Sequence, residues 1–166
     1  MSVETATFTV APSGDRTGSK AENKERLRLW IRLLRTSRII EGELREKLKS
    51  EFGSTLPRFD VMSALNRQPD GMLMSDLSRY LLVSNGNVTG IVDRLVADGF
   101  VQRARRDGDR RTSVVALTDE GRAAFARMAV AHAAWVDDLL HSVSAEEARM
   151  LASMLKGFRS DWEETH

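Results

Sequence analysis

The stretch Ser84-Asn85-Gly86-Asn87-Val88-Thr89-Gly90 gathers hydroxyls, side-chain amides and two glycines into seven residues. Hydroxyls and amides donate and accept, so on one face of a helix they suit base edges and phosphate oxygens. Gly86 and Gly90 each cost a helix about 1 kcal/mol relative to Ala. A cost of that kind on an exposed face points to close approach by another surface. The plainer alternative is a three-helix core with a polar side. A second group follows, in which Arg103, Arg105, Arg106, Arg110 and Arg111 surround Asp107-Gly108-Asp109. Arginines gathered at a hairpin tip suit the negative potential of a DNA minor groove. The alternative there is a solvated edge hairpin whose cations discourage aggregation. Ser75 and Arg94, on the two helical segments before the hairpin, complete the candidate duplex contacts.

A third group lies earlier. The stripe Leu34, Ser37, Glu41, Leu44, Leu48 is interrupted by polar residues, with Arg38 beside it. A charge on an apolar stripe needs a partner. Arg38 pairs with Glu41 at i, i+3 or bridges two copies of the chain; the alternative is an anion pocket lined by Trp30, Phe59, Met62, Trp135 and His132, with Arg38 facing a ligand carboxylate. Arg28, Arg32 and Arg35 make a separate basic face at i, i+4, i+7, and most such faces are merely solvated.

Catalytic constellations are missing. His132 and His141 are nine apart and His166 is terminal, so no His-Glu-x-x-His pair forms, and no phosphate loop is present. Asp137-Asp138 has no histidine at helical spacing. Cysteine is absent, which removes disulfides, thiolate zinc sites and thiol nucleophiles together. No catalytic residue, metal site or cofactor is expected, and the composition is compatible with a reducing cytoplasm. The net charge of +1 hides a polarised chain. Residues 20–58 carry 11 basic and six acidic side chains, residues 100–112 five and two, and residues 137–166 three and seven. No apolar run exceeds about four residues, so nothing is long enough for a bilayer span.

The elements that hold these groups follow from periodicity. Residues 1–20 are rich in Ser, Thr, Gly and Pro, offer little to offset ordering entropy, and predict a disordered tail. From about Lys24 to Phe52, Leu27, Trp30, Ile31, Leu34, Leu44 and Leu48 recur at helical spacing beside a second stripe of Leu29, Leu33 and Ile40. Such a helix is expected to be buried among several neighbours. Gly53 ends it, and Leu56-Pro57 opens the next with Phe59, Val61, Met62 and Leu65 inside. Pro69-Asp70-Gly71 closes that one. Two short helices follow, over about 75–82 (Leu77, Tyr80 and Leu81 inward) and 85–98 (Val88, Ile91, Val92 and Leu95 inward), with Ser84 placed to cap the second. The period then alternates across Phe100–Arg105 and Thr112–Leu117 around Asp107-Gly108, a hairpin signal. A long helix runs from Thr118 to about Leu140. Ser144-Ala145-Glu146-Glu147 is a capping box that opens a last helix bearing Leu151, Leu155, Phe158 and Trp162.

In this order the residues resemble the MarR family of winged-helix transcriptional regulators. Leu95-Val96-Ala97-Asp98-Gly99-Phe100-Val101, Arg103, Asp109-Arg110-Arg111 and Leu117-Thr118-Asp119-Glu120-Gly121 match that family's most specific stretch, and the resemblance runs from about Leu27 to Trp162. The fold expected is mostly α with a small β-wing: a winged helix-turn-helix domain plus a helical dimerisation region built from the N- and C-terminal helices. The boundaries are a tail at 1–20, the first helix at 21–52, the DNA-binding domain at 53–117 and the C-terminal helices at 118–166. The resemblance implies a homodimer on a pseudo-palindromic operator of double-stranded DNA. It also implies that Asp109 pairs with Arg111 to stiffen the wing and that Arg110 enters the minor groove. Met74 stands where the family often has a Thr cap, a role Ser75 is expected to take. Leu56–Met62 and Val83–Leu95 are similar to a branch that senses aromatic acids or their coenzyme A thioesters, whose phosphates Arg28, Arg32 and Arg35 would meet. The function expected is a ligand-responsive repressor, not an enzyme; the alternative is an architectural DNA binder with no effector.

Overall fold

A computed structural model describes the backbone of residues 20–105 and 113–165 and the side chains of 20–103 and 114–157. The tail expected at 1–20 lies outside it but for Lys20, where the first helix begins. The order is α1 (Lys20–Phe52), α2 (Leu56–Asn66), β1 (Met72–Leu73), α3 (Met74–Leu81), α4 (Asn85–Ala97), β2 (Val101–Arg105), β3 (Ser113–Leu117), α5 (Asp119–Leu139) and α6 (Ala145–Thr165). The fold is therefore mostly helical with a small antiparallel sheet, in the strand order β1-β3-β2.

Two compact units result. Thr36–Leu139 forms one; the described residues up to Arg35 and from Leu140 onward form the other, so α1 contributes to both. In the first unit, Leu48, Val61, Leu65, Leu77, Val88, Val92, Leu95, Val115 and Leu117 are wholly shielded from water, and α5 adds Phe125, Met128 and Trp135. These side chains sit where the helical and alternating periods put them. In the second unit the expectation of a first helix buried among neighbours is not met. Leu27, Trp30 and Ile31 on α1 and Met150, Leu151 and Met154 on α6 are each about half exposed, so the described residues cover these stripes only in part.

Local differences have physical causes. Ser84 occupies the N-cap of α4 with an extended backbone, yet its side chain makes no capping bond. Neither Met74 nor Ser75 caps α3; Leu73 does, with no side-chain bond, since β1 pairing (Met72 with Val115, Leu73 with Val114) already fixes the chain there. That two-residue strand is too short to leave a sequence signal. Tyr80 turns outward, and its hydroxyl accepts from Arg67 Nη1 at 3.2 Å. Leu82 closes α3 in the left-handed region at φ 54° and is 89% exposed. The capping box at Ser144 is present: Glu147 N–H donates to Ser144 Oγ (3.3 Å) and Ser144 N–H to Glu147 Oε2 (2.8 Å).

The tightest junction joins the end of α4 to the start of α5. Thr118 N–H donates to Phe100 O (3.0 Å), Thr118 Oγ1 donates to Gly99 O (2.7 Å) and accepts from Gly121 N–H (2.9 Å). A Cβ at Gly121 would lie 1.9 Å from Phe100 O, a backbone atom. Gly121→Ala is therefore expected to lower stability by about 1–3 kcal/mol, toward the upper end for such a contact. At Gly90 nothing lies within 4 Å of an added Cβ, so Gly90→Ala should raise stability by about 1 kcal/mol. Urea denaturation checks both signs; an unchanged midpoint for Gly121→Ala contradicts the junction.

Candidate nucleic-acid interface

Helices α3 and α4 and the β2–β3 hairpin build the candidate surface. On α4 the inward residues Val88, Val92 and Leu95 are fully buried, while Ser84, Asn85, Gly86, Asn87, Thr89, Gly90 and Arg94 are exposed. The burial of that inward stripe aims the small polar groups of the opposite face outward. Thr89 Oγ1 donates back to Asn85 O at 2.8 Å, which leaves its lone pairs and methyl toward solvent. Ser75 is exposed in the first turn of α3, where its carbonyl accepts from Ser78 Oγ at 2.9 Å.

Arg103 does not sit at the hairpin tip. It lies in mid-strand opposite Val115 and its guanidinium meets Asp93 of α4 at 2.7 Å. An exposed pair of this kind adds little to stability, about 0–1 kcal/mol, and links the strand to the helix. Arg105 ends β2, and its side chain lies outside the described residues, as do Arg106, Asp109, Arg110 and Arg111 with the Asp109–Arg111 pairing.

The residues expected around an effector divide between the units. Trp30, Arg28, Arg32 and Arg35 belong to one; all are exposed, and Arg28 is ion-paired with Glu25. Arg38, Glu41, Phe59, Met62, His132 and Trp135 belong to the other. There Phe59 stacks on His132 (centroids 4.4 Å apart, 16° between planes) and packs against Phe125 at 5.4 Å. Trp135 meets Phe52 edge-on at 6.1 Å, with Lys47 Nζ 5.8 Å from its ring centre. Glu41 accepts from Ser37 Oγ at 3.3 Å; no Arg38–Glu41 ion pair forms among the described residues. Burial, and then the charge of Glu41, hold the Asp60 carboxyl above its usual range, and burial holds the His132 imidazole below its own.

Sequence reasoning missed the ion pair between Arg58 of α2 and Asp98, the residue that caps the C-terminus of α4. Forty positions separate the two, and no period links them. Among the described residues no cluster of three His, Cys, Asp or Glu could hold a metal ion, and no helix is long and apolar enough to cross a membrane.

Residues 52–112 match the sequence model of the MarR family. The HTH-type transcriptional regulator PecS of Dickeya dadantii is 32% identical over 125 residues, which span 74% of this chain and 75% of that one. A MarR family transcriptional regulator from Silicibacter pomeroyi is 34% identical, with a TM-score of 0.71 over 88% of this chain and 99% of its own. A MarR mutant from E. coli, solved in complex with operator DNA, is 25% identical, with a TM-score of 0.72 over 81% of this chain and 95% of its own.

Two pH dependences follow from the shifted groups. A histidine whose pKa falls on folding favours the neutral ring in the native state. Its contribution is full above the unfolded value of 6.5 and is lost as pH falls through the lower folded value. Urea midpoints should therefore decline from about pH 7.5 to about pH 5, and His132→Phe should flatten that decline. Asp60 has the opposite sign, since its folded pKa is raised. Its contribution is full below 3.8 and is lost as pH rises through the folded value, so Asp60→Asn should raise the midpoint at neutral pH. A variant with the parent's pH profile contradicts the assignment for that group.

Proposed function

The chain belongs to the MarR family of winged helix-turn-helix transcriptional regulators, and on that footing we propose that it is a ligand-responsive repressor, acting in the cytoplasm as a homodimer on a pseudo-palindromic operator. One observation carries the DNA reading: α4 buries one stripe completely and turns small polar groups, two glycines, Arg94 and the Arg103-paired Asp93 outward over its first three turns. Such a surface admits a helix to the major groove, where amides and hydroxyls read base edges. The complex of the E. coli relative with operator DNA supports the same use. In this reading Ser75, Ser84, Asn85, Asn87, Thr89 and Arg94 meet the duplex from the helices. Arg103, Arg105, Arg106, Arg110 and Arg111 serve the wing, with Asp109 bracing it and Arg110 in the minor groove.

The half-exposed apolar residues of α1 and α6 support a dimer, because a second copy would cover them. Residues 21–52 and 118–166 would then be the dimerisation region, 53–117 the DNA-binding domain and 1–20 a tail. The effector we infer is a small aromatic acid or its coenzyme A thioester. The stacked Phe59–His132 pair and Trp135 would take an aromatic body and Arg38 the carboxylate; Arg28, Arg32 and Arg35, on the other unit, are a basic face of the kind the phosphates of a thioester need. The ligand acts by binding one spacing of the two α4 helices better than the other, a coupling of about 1–3 kcal/mol.

On genomic fragments the footprint should cover one palindrome; a footprint spreading along the duplex would instead favour an architectural binder. On a retained duplex, affinity should fall with salt with a slope of about −0.9 per phosphate contact. Arg110→Ala should weaken it at least about tenfold. Gly90→Ala, though it stabilises the fold, should weaken DNA binding; unchanged isotherms for both variants contradict the interface. Sedimentation should give a dimer at micromolar concentration, and a monomer removes the two-fold operator.

A further inference from the structure

Leu82, in the turn between α3 and α4, stands on a backbone that is costly for any residue with a side chain. Its φ of 54° lies in the left-handed region, where the Cβ of an L-residue crowds the following carbonyl. The turn closes α3 with two backbone bonds: Leu82 N–H donates to Arg79 O at 3.3 Å and Val83 N–H to Ser78 O at 3.2 Å. A helix end of this kind usually takes Gly at the left-handed position. Gly53, which follows α1, has a φ of 58°, and Gly71 and Gly99 are the other glycines described with positive φ. Among the described residues only Leu82 carries a side chain there.

The core gives that side chain almost no cover in return. At 89% exposure Leu82 is the most open of the large apolar residues described, and Val83 beside it is exposed as well. A lone exposed leucine is ordinary, but here exposure is combined with a strained backbone, and Gly would relieve both. Strain that the fold does not need points to a use at the surface. The position says which surface. Leu82 lies three residues before Asn85, where α4 begins, and next along the chain come the exposed Ser84, Asn85, Asn87 and Thr89. A leucine side chain makes no hydrogen bond. In the major groove the apolar group that a base edge offers is the 5-methyl of thymine.

We propose that Leu82 is a specificity-determining residue that packs on the 5-methyl group of one thymine in the half-site read by α4. The proposal rests on the DNA reading of α4 and adds an apolar contact to its polar ones. The amides and hydroxyls of α4 read donors and acceptors, while Leu82 reads the group that marks thymine. The closed turn presents the side chain on a backbone already fixed, so binding requires little further ordering there.

The test uses the full chain and a duplex that it retains, remade with deoxyuridine in place of each thymine in turn. Each replacement removes one methyl and leaves base pairing unchanged. At one thymine of each half-site the wild type should bind about fourfold more weakly, the loss of one buried carbon. Leu82→Gly should bind the unsubstituted duplex about tenfold more weakly. It should also become indifferent to that methyl while keeping the wild-type response at every other thymine. Its urea midpoint should match or exceed that of the wild type, since Gly accepts the left-handed backbone, so the weaker binding is not damage to the fold. Leu82→Met, which keeps an apolar side chain, should retain the response to the methyl. If no deoxyuridine weakens the wild type more than Leu82→Gly, the proposal is overturned, and the retained duplex leaves the DNA reading intact. A Leu82→Gly loss of equal size on every duplex assigns the side chain to the sugar–phosphate backbone and overturns it as well. A wild-type chain that retains no duplex at low salt overturns both readings.

Discussion

Phe100 O stands where residue 121 would otherwise carry a side chain, and the same oxygen accepts the Thr118 N–H. With Thr118 Oγ1 bridging Gly99 O and Gly121 N–H, this contact leaves the backbone little freedom where α4, β2, β3 and α5 converge. The rest of the surface depends on it. The direction of α4 is set at its far end by that junction and by the Arg58–Asp98 pair, and along its length by Val88, Val92 and Leu95 in the core. The Asp93–Arg103 pair then ties the first strand of the hairpin to the same helix. Helix and wing can act as one body because each is anchored to the other and to α5.

Recognition here does not rest on net charge. A chain with 25 basic and 24 acidic residues gains little sequence-independent attraction from its total. What it has is segregation, with basic side chains in the hairpin and first helix and acidic ones at the C-terminal end. Weak overall attraction with a shaped polar face suits a protein that must discriminate among duplexes rather than coat them. The glycines of α4 fit the same design, since their Cβ positions open onto empty space and their cost in helix stability has no compensation within the chain.

Much of this was legible in the residues, and the exceptions are instructive. Long apolar periods placed α1, α2, α5 and α6, and the Asp-Gly turn between alternating arms placed β2 and β3. The polar run at 84–90 was legible as an exposed face because its interleaved Val88 and later Val92 and Leu95 mark the opposite one. Composition groups Arg103 with the tip arginines because it carries no register; the pairing with Val115 and Asp93 puts it in mid-strand. Helical spacing points Tyr80 inward because it cannot distinguish a core aromatic from one whose hydroxyl finds a surface arginine. The apolar stripes of the first helix predict more burial than one copy shows, because a sequence pattern reports apolar surface without saying whether the same copy covers it. The Arg58–Asp98 pair joins α2 to the end of α4 across a separation that no local pattern encodes.

The central claim is that two copies present α4 and an arginine-bearing wing to one face of a duplex. Repeated selection from a pool of random duplexes, followed by sequencing, tests it most directly. The account predicts an enriched motif with two inverted half-sites about one helical turn apart, roughly 10 base pairs between centres. Enrichment of a single unpaired half-site, or of no motif at low salt, would contradict it.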